Sequence, residues 1–250
     1  MNGKQHRQIA PIFTLGASFF ATSQGLLQTQ NQYVTVGVAT AVSILFANAL
    51  DADLYATYPI KVLMSPNNSR HIVRVKDKNG KWVQKTYSPP KGIINKTFAI
   101  FFKMLGVRKH RDWRSHSPII YFPLGLLLLK LFSKIPDNTG IITGVIAGIV
   151  LGIWSHILAD MPNKGGIQLF PKSNAVGVSN ILPNFMANWF KSGSKFMYMI
   201  IIASLIEMYL FIVSKDTAIR INSSIYNFIK TIILFIWNFI SNIFLKSIGK

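Results

Sequence analysis

Residues 140–160 read GIITGVIAGIVLGIWSHILAD. The run Gly140–Ala159 carries no charged residue. At 1.5 Å per residue it is long enough to cross the hydrocarbon core of a bilayer as a helix. Its Gly and Ala residues suit close helix packing. It closes on His156 and Asp160, four apart and therefore on one helical face. This stretch sets both questions for the chain: what kind of fold it takes, and what a His/Asp pair does at the end of a membrane helix.

The rest of the chain agrees with a bilayer. Half of the 250 residues are hydrophobic and only 14% are charged, against about a quarter in soluble domains. The apolar residues fall in blocks. Besides 140–159, the blocks are Ile9–Gln28, Tyr33–Leu50, Pro118–Phe132, Phe196–Val213 and Ser224–Leu245. The first follows a basic start with Lys4 and Arg7, as a signal peptide does. Its polar residues and its lack of a small-residue cleavage site predict a retained helix instead. In the last, Asn227, Thr231, Asn238 and Ser241 fall near one face. That suits an interfacial helix, but a length of about 20 residues favours crossing. The predicted fold is all-α: a polytopic transmembrane bundle of about six spans.

Net charge is +19, from 27 Lys and Arg against 8 Asp and Glu. A soluble chain with this balance would suggest nucleic acid. In a membrane chain it marks the loops on the cytoplasmic side, next to anionic lipid. With the N-terminus inside, twenty-two Lys and Arg fall in the inner segments; only Lys134, Lys215 and Arg220 fall in the outer loops. The expected location is the cell (inner) membrane, with both termini and both long loops cytoplasmic. Membrane lipids are the expected partners, and nucleic acid is not. The long loop has an insert. His71–Tyr87, with Asn79-Gly80 at its centre, predicts a small basic β-hairpin. Ile93–Leu105 is apolar but too short to span, so it should lie along the interface.

The chain has no cysteine, so a metal would have to be held by His and carboxylates. His6, His110, His116, His156, Asp51, Asp53 and Asp160 each fall at the cytoplasmic end of a predicted helix. That topology came from Lys and Arg alone, so the convergence is independent of it. A carboxylate at a helix C-terminus opposes the helix dipole, and a bound cation would offset this. Asp51 and Asp53, two apart, can both reach a metal, or one can orient a histidine. Arg111 and Arg114 can pair with a phosphate or carboxylate. His71 belongs with the hairpin surface, and Glu207 lies inside the fifth block without an evident partner.

Four segments in this order carry a resemblance: His6, ALDADL at 49–54, HRDWRSHSP at 110–118 and SHILADMPNKGGIQLFP at 155–171. The chain resembles the membrane-bound metal-dependent hydrolases typified by the YdjM family. There an early His, a PDxD segment, an HRxxTHS segment and an SHxxxD segment recur. Leu50 stands where the family has Pro. His116 lies one residue further on, as in a related group of metal-binding membrane proteins. The resemblance covers residues 1–171, with 62–92 as an insert, and leaves 172–250 as C-terminal membrane helices. It implies a hydrolase using a divalent metal, zinc first and manganese second. His6, Asp51, Asp53, His110, His116, His156 and Asp160 would form the ligand shell, enough for two or three ions. A metal-bound hydroxide would attack a phosphoester or lipid ester, with Asp53 as base and Arg111 and Arg114 steadying charge. The alternative is a non-catalytic metal-binding scaffold or a transporter. Groups at helix ends rather than at the midplane disfavour transport.

Overall fold

The computed structural model describes residues 3–27, 29–76, 81–161, 167–168, 175–176, 193–228 and 231. Its helices are α1 (Gly3–Ser23), α2 (Gln32–Phe46), α3 (Ile60–Leu63), α4 (Ile93–Met104), α5 (Trp113–His116), α6 (Pro118–Phe132), α7 (Ile141–Asp160) and α8 (Gly193–Val213). A 3-10 helix, Leu50–Tyr55, continues α2, and residues 215–228 are also helical. Among the described residues, Gln32–Tyr55, Trp113–Phe132 and Ile141–Asp160 are long and apolar enough to cross a membrane. The apolar stretch of α8, Tyr198–Val213, is shorter.

The bundle is built for lipid. Small polar side chains are buried inside it: Thr14, Ser18, Thr35, Ser43, Thr143 and Ser155. Large apolar ones face outward, including Leu124, Leu127 and Leu131 on α6 and Ile202, Ile206 and Tyr209 on α8. An aqueous protein would reverse this arrangement; in a bilayer, packing of small residues holds helices together.

The central contact is α7 on α2. Gly140, Gly144, Gly148 and Gly152 repeat every four residues and line one face. A Cβ at Gly144 would lie 2.8 Å from the Thr35 carbonyl oxygen, and one at Gly148 would lie 2.6 Å from that of Ala39. At Gly152 the corresponding distance is 2.9 Å, to Ser43. The backbones therefore touch, and no larger residue fits. The N-terminal end of α7 is fixed by Asp137. Its carboxylate accepts from Gly140 N and Thr139 Oγ1, both at 2.9 Å, and from Thr143 N at 2.8 Å. These donors, Thr143 N foremost, pull its pKa down to about 2. On the other side of α7, Gly125 of α6 admits Trp154, whose indole N–H donates to the Tyr121 carbonyl at 2.9 Å.

α1 starts before the apolar block Ile9–Gln28 and ends short of its last residues. Gly25 adopts φ 69°, and Leu26 N bonds back to the Ala21 carbonyl at 2.8 Å. This closes the helix in a Schellman turn. Below the bundle, α4 packs across the 3-10 helix through Leu50, Ala52, Ala99 and Phe102. Its Lys96 ammonium donates to the Ser65 carbonyl at 2.7 Å while the stem stays with apolar neighbours.

The hairpin forms as the sequence suggests. Strands β1 (His71–Lys76) and β2 (Trp82–Tyr87) pair antiparallel, with His71 opposite Tyr87. The Asn79-Gly80 turn lies outside the described residues, as does most of the block Ser224–Leu245. A second short pair, β3 (Ile167–Gln168) and β4 (Ala175–Val176), was not legible in the sequence.

Candidate metal centre

The site forms where α2 stops being an α-helix. Asp51 N bonds to the Asn48 carbonyl, three residues back, at 3.1 Å. This 3-10 step leaves the Ala47 carbonyl free for another donor. His156 supplies one, its Nδ1 donating to Ala47 O at 2.6 Å. The glycine stripe brings α7 close enough for this bond, because His156 and Asp160 continue the same four-residue repeat.

Asp53 holds the other histidines. Its Oδ1 accepts from His110 Nδ1 at 2.7 Å. Its Oδ2 accepts from Arg111 N and Ser115 Oγ, both at 2.8 Å, and lies 3.2 Å from His116 Nδ1. Arg111 takes a left-handed backbone (φ 60°) to make this contact. Such a conformation is uncommon outside glycine and persists only where several bonds fix it. Asp112 caps α5 by accepting from Arg114 N at 3.1 Å. Tyr121 Oη donates to the Arg114 carbonyl at 2.8 Å and ties the segment to α6.

These bonds set the tautomers. With Nδ1 of both His116 and His156 acting as donor, each neutral ring presents an Nε2 lone pair. The two Nε2 atoms face each other at 3.2 Å, fully buried. Two lone pairs at that distance repel unless a proton or a metal ion is shared between them. Other ligand atoms close round the same point. Asp160 Oδ2 is 3.5 Å from His156 Nε2 and 3.7 Å from His116 Nε2. Asp160 Oδ1 is 3.5 Å from His6 Nε2, and Asp51 Oδ1 is 3.6 Å from His156 Nε2. Tetrahedral zinc with nitrogen ligands at about 2.0–2.1 Å separates them by about 3.3 Å, so the spacing fits an ion.

His6 stacks on His156, ring centroids 3.9 Å apart. Neither of its ring nitrogens has a hydrogen-bond partner among the described residues, although the residue is 1% exposed. Burial, outweighing the pull of Asp160, holds its pKa below the ordinary imidazole value, so the ring is neutral and ready to bind a cation. Two sets of side chains emerge that can hold an ion: His6, His156 and Asp160, all buried, and Asp51, His110 and His116. In the second set the Asp51 side chain is 24% exposed and that of His110 33%, so that set opens outward.

The sequence-derived ligands thus gather at one place, with distinct positions. Asp53 has both oxygens occupied by protein donors. Arg111 reaches the cluster, its Nη2 donating to Asp160 Oδ1 at 2.9 Å. Arg114 is turned elsewhere: its Nη1 donates to the Gly106 carbonyl at 2.5 Å, and its guanidinium lies by Trp113. Ser115 escaped sequence reasoning. Its place between two histidines in a membrane-boundary segment was the only signal available.

No curated protein and no solved structure matches the chain. A family model does match, over residues 3–245. The match runs past residue 171, where the four motifs end, through the C-terminal helices. By that match, and by the buried His/Asp cluster its motifs build, the chain belongs to the YdjM inner membrane protein family.

Proposed function

We propose that this protein is a membrane-embedded metal-dependent hydrolase acting on a phosphoester or lipid ester at the cytoplasmic membrane face. One observation carries the reading: the opposed Nε2 atoms of His116 and His156, backed by His6 and Asp160. The proposal includes a six-span topology with the N-terminus inside. The charge bias of the loops supports it.

His6, His116, His156 and Asp160 would hold a divalent ion, zinc first; the one free nitrogen of His116 serves that ion, so Asp51, His110 and His116 form an alternative position and not a simultaneous second one. A bound ion would supply Lewis-acid activation of a water and of the scissile ester. The chain's own residues divide the remaining work. Asp53 orients His110 and His116 and fixes their tautomers. Asp51, part-exposed beside the ligands, is the carboxylate placed to accept a proton from an attacking water. Arg111, already against Asp160, is placed to pair with negative charge developing on a phosphoryl group.

A second reading has its own support. The His6–His156–Asp160 set is closed, as structural metal sites are, which suits a non-catalytic scaffold. Turnover separates the two. Zinc- or manganese-loaded protein should hydrolyse phosphodiester or lipid-ester substrates, and Asp51→Asn should lose at least about 100-fold in rate while keeping some metal. Loaded protein that cleaves neither class leaves the scaffold reading standing.

A further inference from the structure

Arg114 takes no part in the ion cluster. It stands two residues before His116 on α5, so the two side chains leave the helix on nearly opposite sides. On its own side Arg114 lines a cavity of about 460 Å³ with Met104, Leu105, Gly106, Arg108 and Asp112. The hollow forms where α4 ends. Gly106 takes a left-handed backbone (φ 72°), and Val107 N donates back to the Phe102 carbonyl at 3.0 Å. This turn buries Val107 in the same apolar cluster as Phe102. It leaves the Gly106 carbonyl to accept from Arg114 Nη1, which fixes that guanidinium at the wall.

Two cations and one acid face the hollow. Arg108 is exposed, and neither it nor Arg114 makes an ion pair among the described residues. Asp112 is only 8% exposed, and its Oδ1 is engaged by Arg114 N as the cap of α5. The balance is positive, and paired guanidiniums suit a phosphate, whose oxygens accept from their planar N–H forks. An apolar stripe runs into this basic hollow. Ile93, Thr97, Phe101 and Met104 follow helical spacing along α4 and are exposed, opposite the buried Ala99 and Phe102. The lysines of α4 leave the stripe bare, because Lys96 and Lys103 donate to the Ser65 and Ala56 carbonyls. Apolar stripe and basic end together complement a lipid, the chain on the first and the phosphate in the second. An ammonium headgroup would meet the two guanidiniums, so an anionic lipid fits better than a zwitterionic one.

We propose that the hollow at the end of α4 binds the phosphate of an anionic phospholipid through Arg108 and Arg114, with an acyl chain lying along Phe101 and Met104. The site is independent of the hydrolase reading and of any ion, since it uses none of the clustered histidines. A lipid held there bridges α4 and α5 across the segment that carries His110 and Arg111.

The test uses the full-length protein in detergent, with lipid retention read by native mass spectrometry. Phosphatidylglycerol, phosphatidylcholine and phosphatidylethanolamine with identical chains compete for it. Phosphatidylglycerol should be retained about tenfold better than either zwitterionic lipid, as about one charge-assisted hydrogen bond would give. Arg108→Gln, at an exposed side chain without an ion pair, should remove most of that preference, and so should Arg114→Gln. Arg74→Gln takes the same charge from the exposed face of the hairpin and should leave the preference intact. Inorganic phosphate should not displace the lipid, because it gains nothing from the apolar stripe. Equal retention of the three lipids overturns the proposal, as does a preference that survives Arg108→Gln. A preference that Arg74→Gln lowers as much as Arg108→Gln does would mean attraction to a basic surface with no site, and overturns it too. Displacement by inorganic phosphate would mark a soluble-phosphate site and overturn the claim for a lipid.

Discussion

The two ends of the α2–α7 pair share one helical face and use it in opposite ways. Toward the start of α7, glycines at 140, 144, 148 and 152 let α7 lie against the α2 backbone, and Asp137 caps the helix. Toward the other end the same four-residue repeat places His156 and Asp160. The change coincides with the step in α2 from α to 3-10 geometry, which releases the Ala47 carbonyl to hold His156. Backbone-to-backbone packing thus acts as a rigid rail that sets the depth and rotation of two ligands. The rail end is rich in satisfied backbone. The ligand end brings imidazole nitrogens and carboxylate oxygens to within 3.7 Å of one another, a spacing that a bound cation would suit.

This contrast can be attacked from either side. The largest effect should come from Gly148→Leu, whose side chain meets the Ala39 carbonyl. Overpacking of this kind costs about 1–3 kcal/mol or more. Thermal unfolding in detergent should show that loss, and metal content should fall with it, because the register of His156 depends on the rail. Gly37, on α2 with open space around its Cβ position, is the control. Gly37→Ala should be neutral, or stabilising by up to about 1 kcal/mol. If both glycines tolerate a side chain equally, the rail does not exist.

Asp53→Asn probes the ligand end without removing a histidine. An amide cannot accept all the donors that converge on Asp53. Metal affinity should fall about 10–100-fold, as for other residues that orient ligands. A metal titration that gives the wild-type affinity would remove Asp53 from its positioning role.

The smallest effect is expected at the Asp137 cap. Its folded pKa is depressed to about 2, so its stabilising contribution is present above the unfolded value near 4. That contribution is lost as pH falls from about 4 toward 2. Unfolding followed across this window should show the wild type losing stability relative to Asp137→Asn. Curves that stay parallel throughout would mean the cap contributes nothing through its charge.

Much of this arrangement was legible in the sequence. The apolar blocks gave α2, α6 and α7, because lipid demands continuous apolar length, and the Asn-Gly pair gave the hairpin. His6, Asp51, His116, His156 and Asp160, which the structure brings together, could be singled out because charged and ligating groups are rare in such a chain and fell at one end of each helix. The division of roles was not legible. Asp51 and Asp53 look alike in ALDADL, and only the 3-10 turn shows that one faces the ligands while the other is filled by His110, Arg111 and Ser115. Arg111 and Arg114 look equally suited to an anion, yet a left-handed backbone turns the first to Asp160, and Gly106 takes the second. Apart from the Arg114–Gly106 bond, eight residues apart, such choices depend on contacts between segments 49 to 62 residues apart, which no local pattern encodes.

Metal analysis of the purified protein by inductively coupled plasma mass spectrometry, beside His116→Ala and His156→Ala, tests the cluster most directly. Wild type should carry at least one divalent ion per chain, and each variant should lose most of it while remaining folded. A wild type that binds no divalent ion after loading, or variants that hold as much as the wild type, would contradict a metal centre built on these two facing imidazoles.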